Sequence, residues 1–173
     1  MSDLDRLRAV VPPPPSSSVP TIDWAGVTAR VGRLPADYRA LVDTYGPGTF
    51  DEFLWVLQPS AANPNLDLER QRTVRIDALR EVAASGEPVP YPVDTLLPWA
   101  VTDNGDVCYW LTSGTADAGT WPVVVNGARG PEWVSFTGSA TAFLAAVLAG
   151  ELVVAVFPDD FPSERPEYRQ PQG

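Results

Sequence analysis

The sequence contains no histidine and no lysine among its 173 residues, which excludes several common kinds of active site. Without histidine there is no Ser-His-Asp or Cys-His catalytic pair and no histidine metal ligand. Without lysine there is no P-loop lysine and no Schiff-base chemistry. The G-x-S-x-G motif of α/β-hydrolases is also missing. We therefore expect a protein that is not an enzyme and that carries no cofactor and no metal.

Cysteine is almost absent, since Cys108 is the single one, and an intrachain disulfide is impossible. This fits a reducing cytoplasm. Because Cys108 has no basic neighbour in sequence, we expect a buried, inert thiol rather than a nucleophile. The first residues, MSDLDRLRAVV, lack the apolar run of a signal peptide, and no window approaches the roughly 18 apolar residues of a membrane span. We expect a soluble, cytoplasmic protein without a membrane partner.

Positive charge is scarce, with 12 arginines against 22 acidic residues and a formal net charge of −10. This balance argues against a nucleic-acid partner, because the phosphate backbone would be repelled. It favours a basic protein partner. High net charge also favours solubility by itself, so that second interpretation stays open.

Residues 34–59, LPADYRALVDTYGPGTFDEFLWVLQP, form the stretch around which we expect the fold to be organised. Pro35 suits the first position of a helix, and Tyr38, Leu41 and Tyr45 recur on one helical face. Gly46 followed by proline ends that helix. The apolar run over residues 53–57 has the length of a strand. The sequence thus predicts a helix lying on a sheet.

The rest of the chain predicts three more helices and a group of strands. The Asn104–Gly105 pair is a strong hairpin signal, and further strands are expected near residues 121–125 and 132–136. Residues 152–157 are expected to form a last strand or an extended segment. The helices are expected to start at a cap: Thr21 or Asp23 for the first, Asn65 for a long one reaching about Ser85, and Ser139 or Thr141 for the last. Grouped helices and strands indicate a single α+β domain, with an antiparallel sheet of about five to six strands and helices packed against it.

Proline-rich segments flank the predicted domain. Leu4, Leu7 and Val11 could form one or two turns of helix, but PPPPSSSVP then favours an extended, solvated chain, and we expect residues 1–20 to be a disordered tail. The folded domain is expected to span residues 21–157. Residues 158–173 are again proline-rich and polar, and we expect this second tail to fray.

Carboxylates are still available for acid–base chemistry, in the pairs Asp51 with Glu52, Asp103 with Asp106, and Asp159 with Asp160. A glycosidase needs two acids about 5–10 Å apart, usually beside aromatic platforms, and the chain has six tryptophans. An acid-dependent hydrolase is therefore a minor alternative. Aspartate is favoured beside hairpin turns for backbone reasons alone, and this is the simpler explanation of the pair Asp103 with Asp106.

The order of these motifs resembles the SUKH superfamily, which includes the SMI/KNR-like domains. The resemblance rests on LPADYRALVDTYGPGTFDEFLWVLQP, then LLPWAVTDNGDVCYWLTSG, then WPVVVN, and then a tryptophan strand leading into TAFLAAVLAGEL. It covers about residues 21–152. The resemblance implies a non-catalytic α+β domain that binds other proteins. Many bacterial members are immunity proteins that neutralise a polymorphic toxin delivered by a neighbouring cell.

The resemblance implies a stoichiometric inhibitor of a basic toxin domain, such as a nuclease. A regulatory or scaffold domain with an endogenous protein partner is the alternative. The superfamily's binding residues vary with the toxin, so the candidates come from turns and strand ends, where a rigid scaffold presents side chains. We predict partner contacts at seven residues: Asp51, Glu52, Asp103, Asn104, Asp106, Trp121 and Glu132.

Overall fold

The computed structural model describes residues 1–112 and 117–172 and confirms the α+β class. Within them, the five α-helices are α1 (Asp3–Val10), α2 (Trp24–Val31), α3 (Ala36–Tyr45), α4 (Leu68–Ala84) and α5 (Ala140–Leu148). The seven strands are β1 (Thr49–Phe50), β2 (Leu54–Val56), β3 (Leu96–Thr102), β4 (Val107–Leu111), β5 (Val123–Asn126), β6 (Trp133–Phe136) and β7 (Tyr168–Arg169). No helix in the described ranges is both long enough and apolar enough to cross a membrane.

The strands form one antiparallel sheet in the order β6-β5-β4-β3-β2-β1-β7. Its two central strands are buried on both faces, because helices cover both sides. Trp110 of β4 meets Tyr38 of α3, with ring centroids 5.0 Å apart, and Trp99 of β3 meets Phe143 of α5 at 6.0 Å. The neighbouring Tyr109 points the opposite way, towards the face on which α4 packs against β3.

Helix α3 is the predicted organising helix, and Tyr38, Leu41 and Tyr45 are buried on it as expected. Gly46 ends it at φ +65°, a conformation that favours glycine. The strand predicted over residues 53–57 is present as β2 (Leu54–Val56), and it pairs with a further strand, β1, through a tight turn centred on Asp51 and Glu52. The sequence does not predict this turn, because neither of its central residues is glycine or asparagine.

The prediction of a disordered N-terminal tail is wrong for residues 2–11. Ser2 caps α1 in a capping box with Asp5, and helix α1 packs against α5. Leu7 and Val11 are completely buried, and the Tyr45 hydroxyl donates a hydrogen bond to the Val11 carbonyl at 2.6 Å. A helix of eight residues is too short to be stable alone, so tertiary packing rather than local pattern stabilises it.

The prediction of a frayed C-terminal tail is also wrong. Tyr168 pairs with Phe50 across β7 and β1, so the tail contributes the strand that brings the sheet to seven. The Tyr168 hydroxyl donates to the carbonyl of Gly46, and its ring lies 5.0 Å from that of Tyr45. Gly48 permits this approach, since a Cβ there would collide with Tyr168.

Smaller differences concern helix caps and one segment. The long helix α4 is capped by Asp67 rather than Asn65. Asp23 and Ser139 cap α2 and α5, each one of two expected candidates. Residues 152–157 are neither a strand nor extended throughout, because the Phe157 N–H donates to the Val154 carbonyl at 3.0 Å and closes a turn. Val154 and Phe157 of this segment are buried in the core.

Candidate functional site

Three hairpin turns lie together at one end of the sheet. Because β1–β2, β3–β4 and β5–β6 are successive antiparallel pairs in one sheet, their turns lie at the same end of the strands. The connections between the pairs lie at the opposite end. The Asp103 N–H donates to the Phe53 carbonyl at 2.9 Å, which joins the first two turns. The Ala128 N–H donates to Asp106 at 2.9 Å, which joins the second and third. We call this surface the hairpin end; it comprises residues 51–53, 103–106 and 127–132, with the C-terminal segment 158–169.

The hairpin end carries much of the protein's negative charge. Nine of the 22 carboxylates and three of the 12 arginines fall in these four segments, a formal charge of −6 out of −10. Six of the seven predicted contact residues lie here, on turns that the sequence places far apart: Asp51, Glu52, Asp103, Asn104, Asp106 and Glu132.

Asp51 and Glu52 form the centre of the β1–β2 turn, at φ +52° and +54°. Two successive positive φ angles are typical of a type I′ turn, and the Phe53 N–H closes it on the Phe50 carbonyl at 3.0 Å. The Asp51 carboxylate accepts hydrogen bonds from the Ser163 N–H at 2.8 Å and the Glu167 N–H at 2.9 Å. Asp51 is thus occupied in holding the C-terminal segment, while Glu52 is exposed and pairs with an arginine of that segment, Arg169.

Asp103 and Asn104 are exposed on the β3–β4 turn. The Asp103 carboxylate accepts a hydrogen bond from the Trp55 indole N–H at 2.8 Å, which fixes its direction on the rim of the hairpin end. The next residue, Gly105, takes the φ of +91° that the hairpin requires. These two side chains are therefore presented by a short, well-anchored turn, as predicted.

Asp106 does not fit its predicted role as a surface contact, because only 3% of it is exposed. Its carboxylate accepts hydrogen bonds from the Thr102 hydroxyl at 2.7 Å and from the Ala128 N–H at 2.9 Å. Aspartate beside a hairpin turn commonly satisfies main-chain donors, and the simpler explanation given above applies to this residue. Asp106 holds two turns together beneath the surface.

A cleft of about 330 Å³ opens between the β3–β4 and β5–β6 turns. Asn104, Glu132 and Arg129 lie at its polar side, and Val156 and Phe157 form an apolar wall. Glu132 is exposed, as predicted for a contact residue. The cleft therefore combines an acidic rim with an apolar side.

Trp121 is the predicted contact residue that the fold separates from the others. It lies just before β5, and the other end of β5, at Asn126, reaches the hairpin end. Trp121 therefore lies at the opposite end of the strands. Its ring is half-buried and lies 6.1 Å from that of Trp110. Its indole nitrogen is buried and has no hydrogen-bond partner among the described residues.

Sequence reasoning missed the C-terminal segment as part of the site. A cleft of about 520 Å³ lies between this segment and the β1–β2 turn, and the residues that line the cleft include Asp160, Arg165 and Glu167. Two signals in the sequence pointed there. Tyr168 is a large aromatic residue in a segment read as solvated, and Gly48 leaves room for a crossing chain.

The chemistry available at the hairpin end is that of carboxylates, amides and arginines. Cys108 is fully buried in β4, as expected, and burial raises the pKa of its thiol, with a smaller contribution from the charge of Asp106. Among residues 1–112 and 117–172, no group of three histidine, cysteine, aspartate or glutamate side chains is placed to hold a metal ion.

Comparison of the chain with protein-family models, with curated proteins and with solved structures gave no match.

Proposed function

We propose that this protein is a non-catalytic binding domain of the immunity type, which neutralises a basic toxin domain by covering its active site in the cytoplasm. The observation that carries the proposal is the convergence of nine carboxylates at the hairpin end. The resemblance to SUKH domains supports the same function. The resemblance suggests the class of partner, a toxin domain, whereas the fold indicates the surface that would bind it.

Four carboxylates of the hairpin end are the best placed to contact a partner. Glu132, Asp159, Asp160 and Glu164 are exposed, and their side chains have no hydrogen-bond or ion-pair partner among the described residues. Their charge is therefore not offset locally. Asp51 and Asp106, by contrast, are occupied in holding the turns, so they act by positioning the surface.

An acidic surface of this kind steers a basic partner during diffusion. Nucleases must be basic to hold nucleic acid, and electrostatic steering brings association rates towards about 10⁸–10⁹ M⁻¹s⁻¹ at low salt. Because the turns are hydrogen-bonded to one another and belong to a sheet whose strands β3 and β4 are buried on both faces, we expect the surface to be ordered before binding. Preorganisation of that kind reduces the entropic cost of association.

The first experiment is recovery of the partner with the tagged full chain from its own cells and from cells that also express the neighbouring reading frame, at low and at high salt. One basic protein in stoichiometric amount, released at high salt, supports the proposal. A mixture of envelope or signalling proteins instead supports the regulatory or scaffold alternative.

The second experiment tests the hairpin end with matched variants. The double variant Asp159→Asn/Asp160→Asn removes two negative charges from the hairpin end. The control, Asp94→Asn/Asp117→Asn, removes two negative charges at the opposite end of the strands. We expect the first pair to slow association with the recovered partner at least about threefold at low salt and the second pair to leave it unchanged. Equal effects of the two pairs would contradict the proposal.

A further inference from the structure

Strand β6 is a free edge of the sheet, and neither a charged side chain nor a proline within it protects that edge. It is the outermost strand, beyond β5, in the seven-stranded order. Its sequence, Trp133-Val134-Ser135-Phe136, carries no charge and no proline. Natural proteins generally protect an edge with charged side chains, proline, a bulge or a covering segment, because an unpaired edge is a template for another strand.

The hydrogen-bond register shows which groups of β6 point outwards. The Gly127 N–H donates to the Glu132 carbonyl at 2.9 Å, and Val125 lies opposite Val134. In an antiparallel ladder the bonded residues alternate, so Val134 and Phe136 bond to β5. The N–H and C=O groups of Trp133 and Ser135 therefore face away from the sheet. Among the described residues they have no hydrogen-bond partner outside the β5–β6 ladder.

We propose that β6 pairs antiparallel with β6 of a second copy of this chain, so that two seven-stranded sheets become one continuous sheet. The twofold axis passes beside Val134, and Trp133 of each copy lies opposite Ser135 of the other. In this register each outward N–H and C=O of the two strands finds a partner, giving four hydrogen bonds. The two Val134 side chains meet each other on the face covered by α5.

The distribution of charge places a second copy at this neutral edge rather than at the acidic hairpin end. The hairpin end, at −6, repels another copy and attracts a basic partner, whereas β6 is neutral and offers a basic strand no electrostatic gain. The nearest carboxylates along the strand are the two Glu132 side chains. Four residues of strand separate them in the proposed register, about 14 Å. That distance exceeds the screening length of about 8 Å at physiological salt.

The test is the association state of the full chain by analytical ultracentrifugation, from about 1 μM to about 1 mM. We expect the wild-type chain to reach twice the monomer mass and the Ser135→Pro variant to remain monomeric. Proline at this position removes an outward N–H and leaves the β5 ladder intact, so an edge strand tolerates it. The matched control, Ser135→Ala, keeps the N–H and is expected to dimerise like the wild type.

Hydrogen exchange on the wild-type chain gives a second readout that needs no variant. The amides of Trp133 and Ser135 are expected to exchange at least about tenfold more slowly at high than at low protein concentration, while those of Val134 and Phe136 stay protected throughout. A chain that is monomeric up to about 1 mM overturns the proposal. A dimer whose Trp133 and Ser135 amides exchange at the same rate as in the monomer overturns it as well.

Discussion

Asp51 and Glu167 are joined twice, across 116 residues of sequence. The Asp51 N–H donates to the Glu167 carbonyl at 2.8 Å, and the Asp51 carboxylate accepts from the Glu167 N–H at 2.9 Å. This pair fixes the C-terminal segment to the β1–β2 turn. The acidic surface therefore depends on a contact between two regions that sequence analysis assigned to different parts of the chain.

Replacing Asp51 with asparagine is expected to loosen the C-terminal segment. Asparagine tolerates the positive φ of this position but replaces one charged acceptor oxygen with an amide donor. We expect a loss of about 1–3 kcal/mol in the free energy of unfolding. We also expect faster tryptic cleavage after Arg169, because Pro166 makes the bond after Arg165 resistant to trypsin. Urea unfolding and timed proteolysis measure the two effects. Ser163→Ala keeps the carboxylate and is the milder control; equal cleavage of wild type and Asp51→Asn would contradict the assignment.

Glu52 sits at φ +54°, a conformation that is unfavourable for a residue with a side chain. We expect Glu52→Gly to raise the free energy of unfolding by about 1 kcal/mol. Because Glu52 also pairs with Arg169, the comparison belongs in an Arg169→Gln background, where that exposed ion pair is absent. A shift of the urea midpoint to lower concentration in this background would show that the turn is not strained.

Asp106 and Asp103 provide a contrast between a buried and an exposed aspartate of the same turn. Asp106→Ala leaves the Thr102 hydroxyl and the Ala128 N–H without their acceptor, and we expect a cost of about 2–3 kcal/mol. Asp103→Ala loses one exposed hydrogen bond to Trp55, and we expect about 1 kcal/mol or less. Thermal or urea unfolding of both variants measures the two losses in the free energy of unfolding. A larger loss for Asp103→Ala would contradict the assignment of Asp106 as the residue that holds the two turns together.

Leu7 tests whether the N-terminal helix belongs to the folded domain. Its side chain is fully buried against the core, so Leu7→Ala is expected to cost about 2–5 kcal/mol in the free energy of unfolding. Met1→Ala, at a residue that is 94% exposed, is the control and is expected to be neutral. A Leu7→Ala variant as stable as the wild type would restore the earlier expectation of a disordered tail.

The parts of the fold that sequence analysis predicted correctly have strong local signals. Helix α3 was predicted from the spacing of Tyr38, Leu41 and Tyr45 and from its closing Gly46, and each of these residues has the expected place. The β3–β4 hairpin was predicted from Asn104–Gly105. In both cases the residues that determine the structure are neighbours in sequence, so a short window is sufficient.

The parts that were missed depend on partners distant in sequence. The β1–β2 turn uses Asp51 and Glu52 at positive φ, and its carboxylate is satisfied by the C-terminal segment rather than by its own neighbourhood. Helix α1 and strand β7 are stabilised by Tyr45, which binds Val11 and packs on Tyr168. Proline content predicted tails because composition does not report which distant surface a segment covers. The convergence of the acidic turns was likewise visible only once the strand order was known.

Alkaline pH is expected to unfold this protein through its buried phenols and its thiol. Burial raises the pKa of Cys108 above its ordinary 9.0, and burial raises the pKa of Tyr38, Tyr45, Tyr109 and Tyr168 above 10.0. In the unfolded chain these groups ionise near their ordinary values, while the folded chain keeps them protonated. The unfolded state then binds fewer protons, so the free energy of unfolding falls as pH rises.

The loss is expected to begin near pH 9 and to steepen above pH 10, where four tyrosines join the cysteine. Each group contributes up to about 1.4 kcal/mol per pH unit between its unfolded and folded pKa values. Urea unfolding at intervals from pH 8 to pH 11 measures the slope, and Cys108→Ala should flatten its first part between pH 9 and 10. A free energy of unfolding that stays constant through pH 11 would mean that these side chains reach solvent in the folded protein.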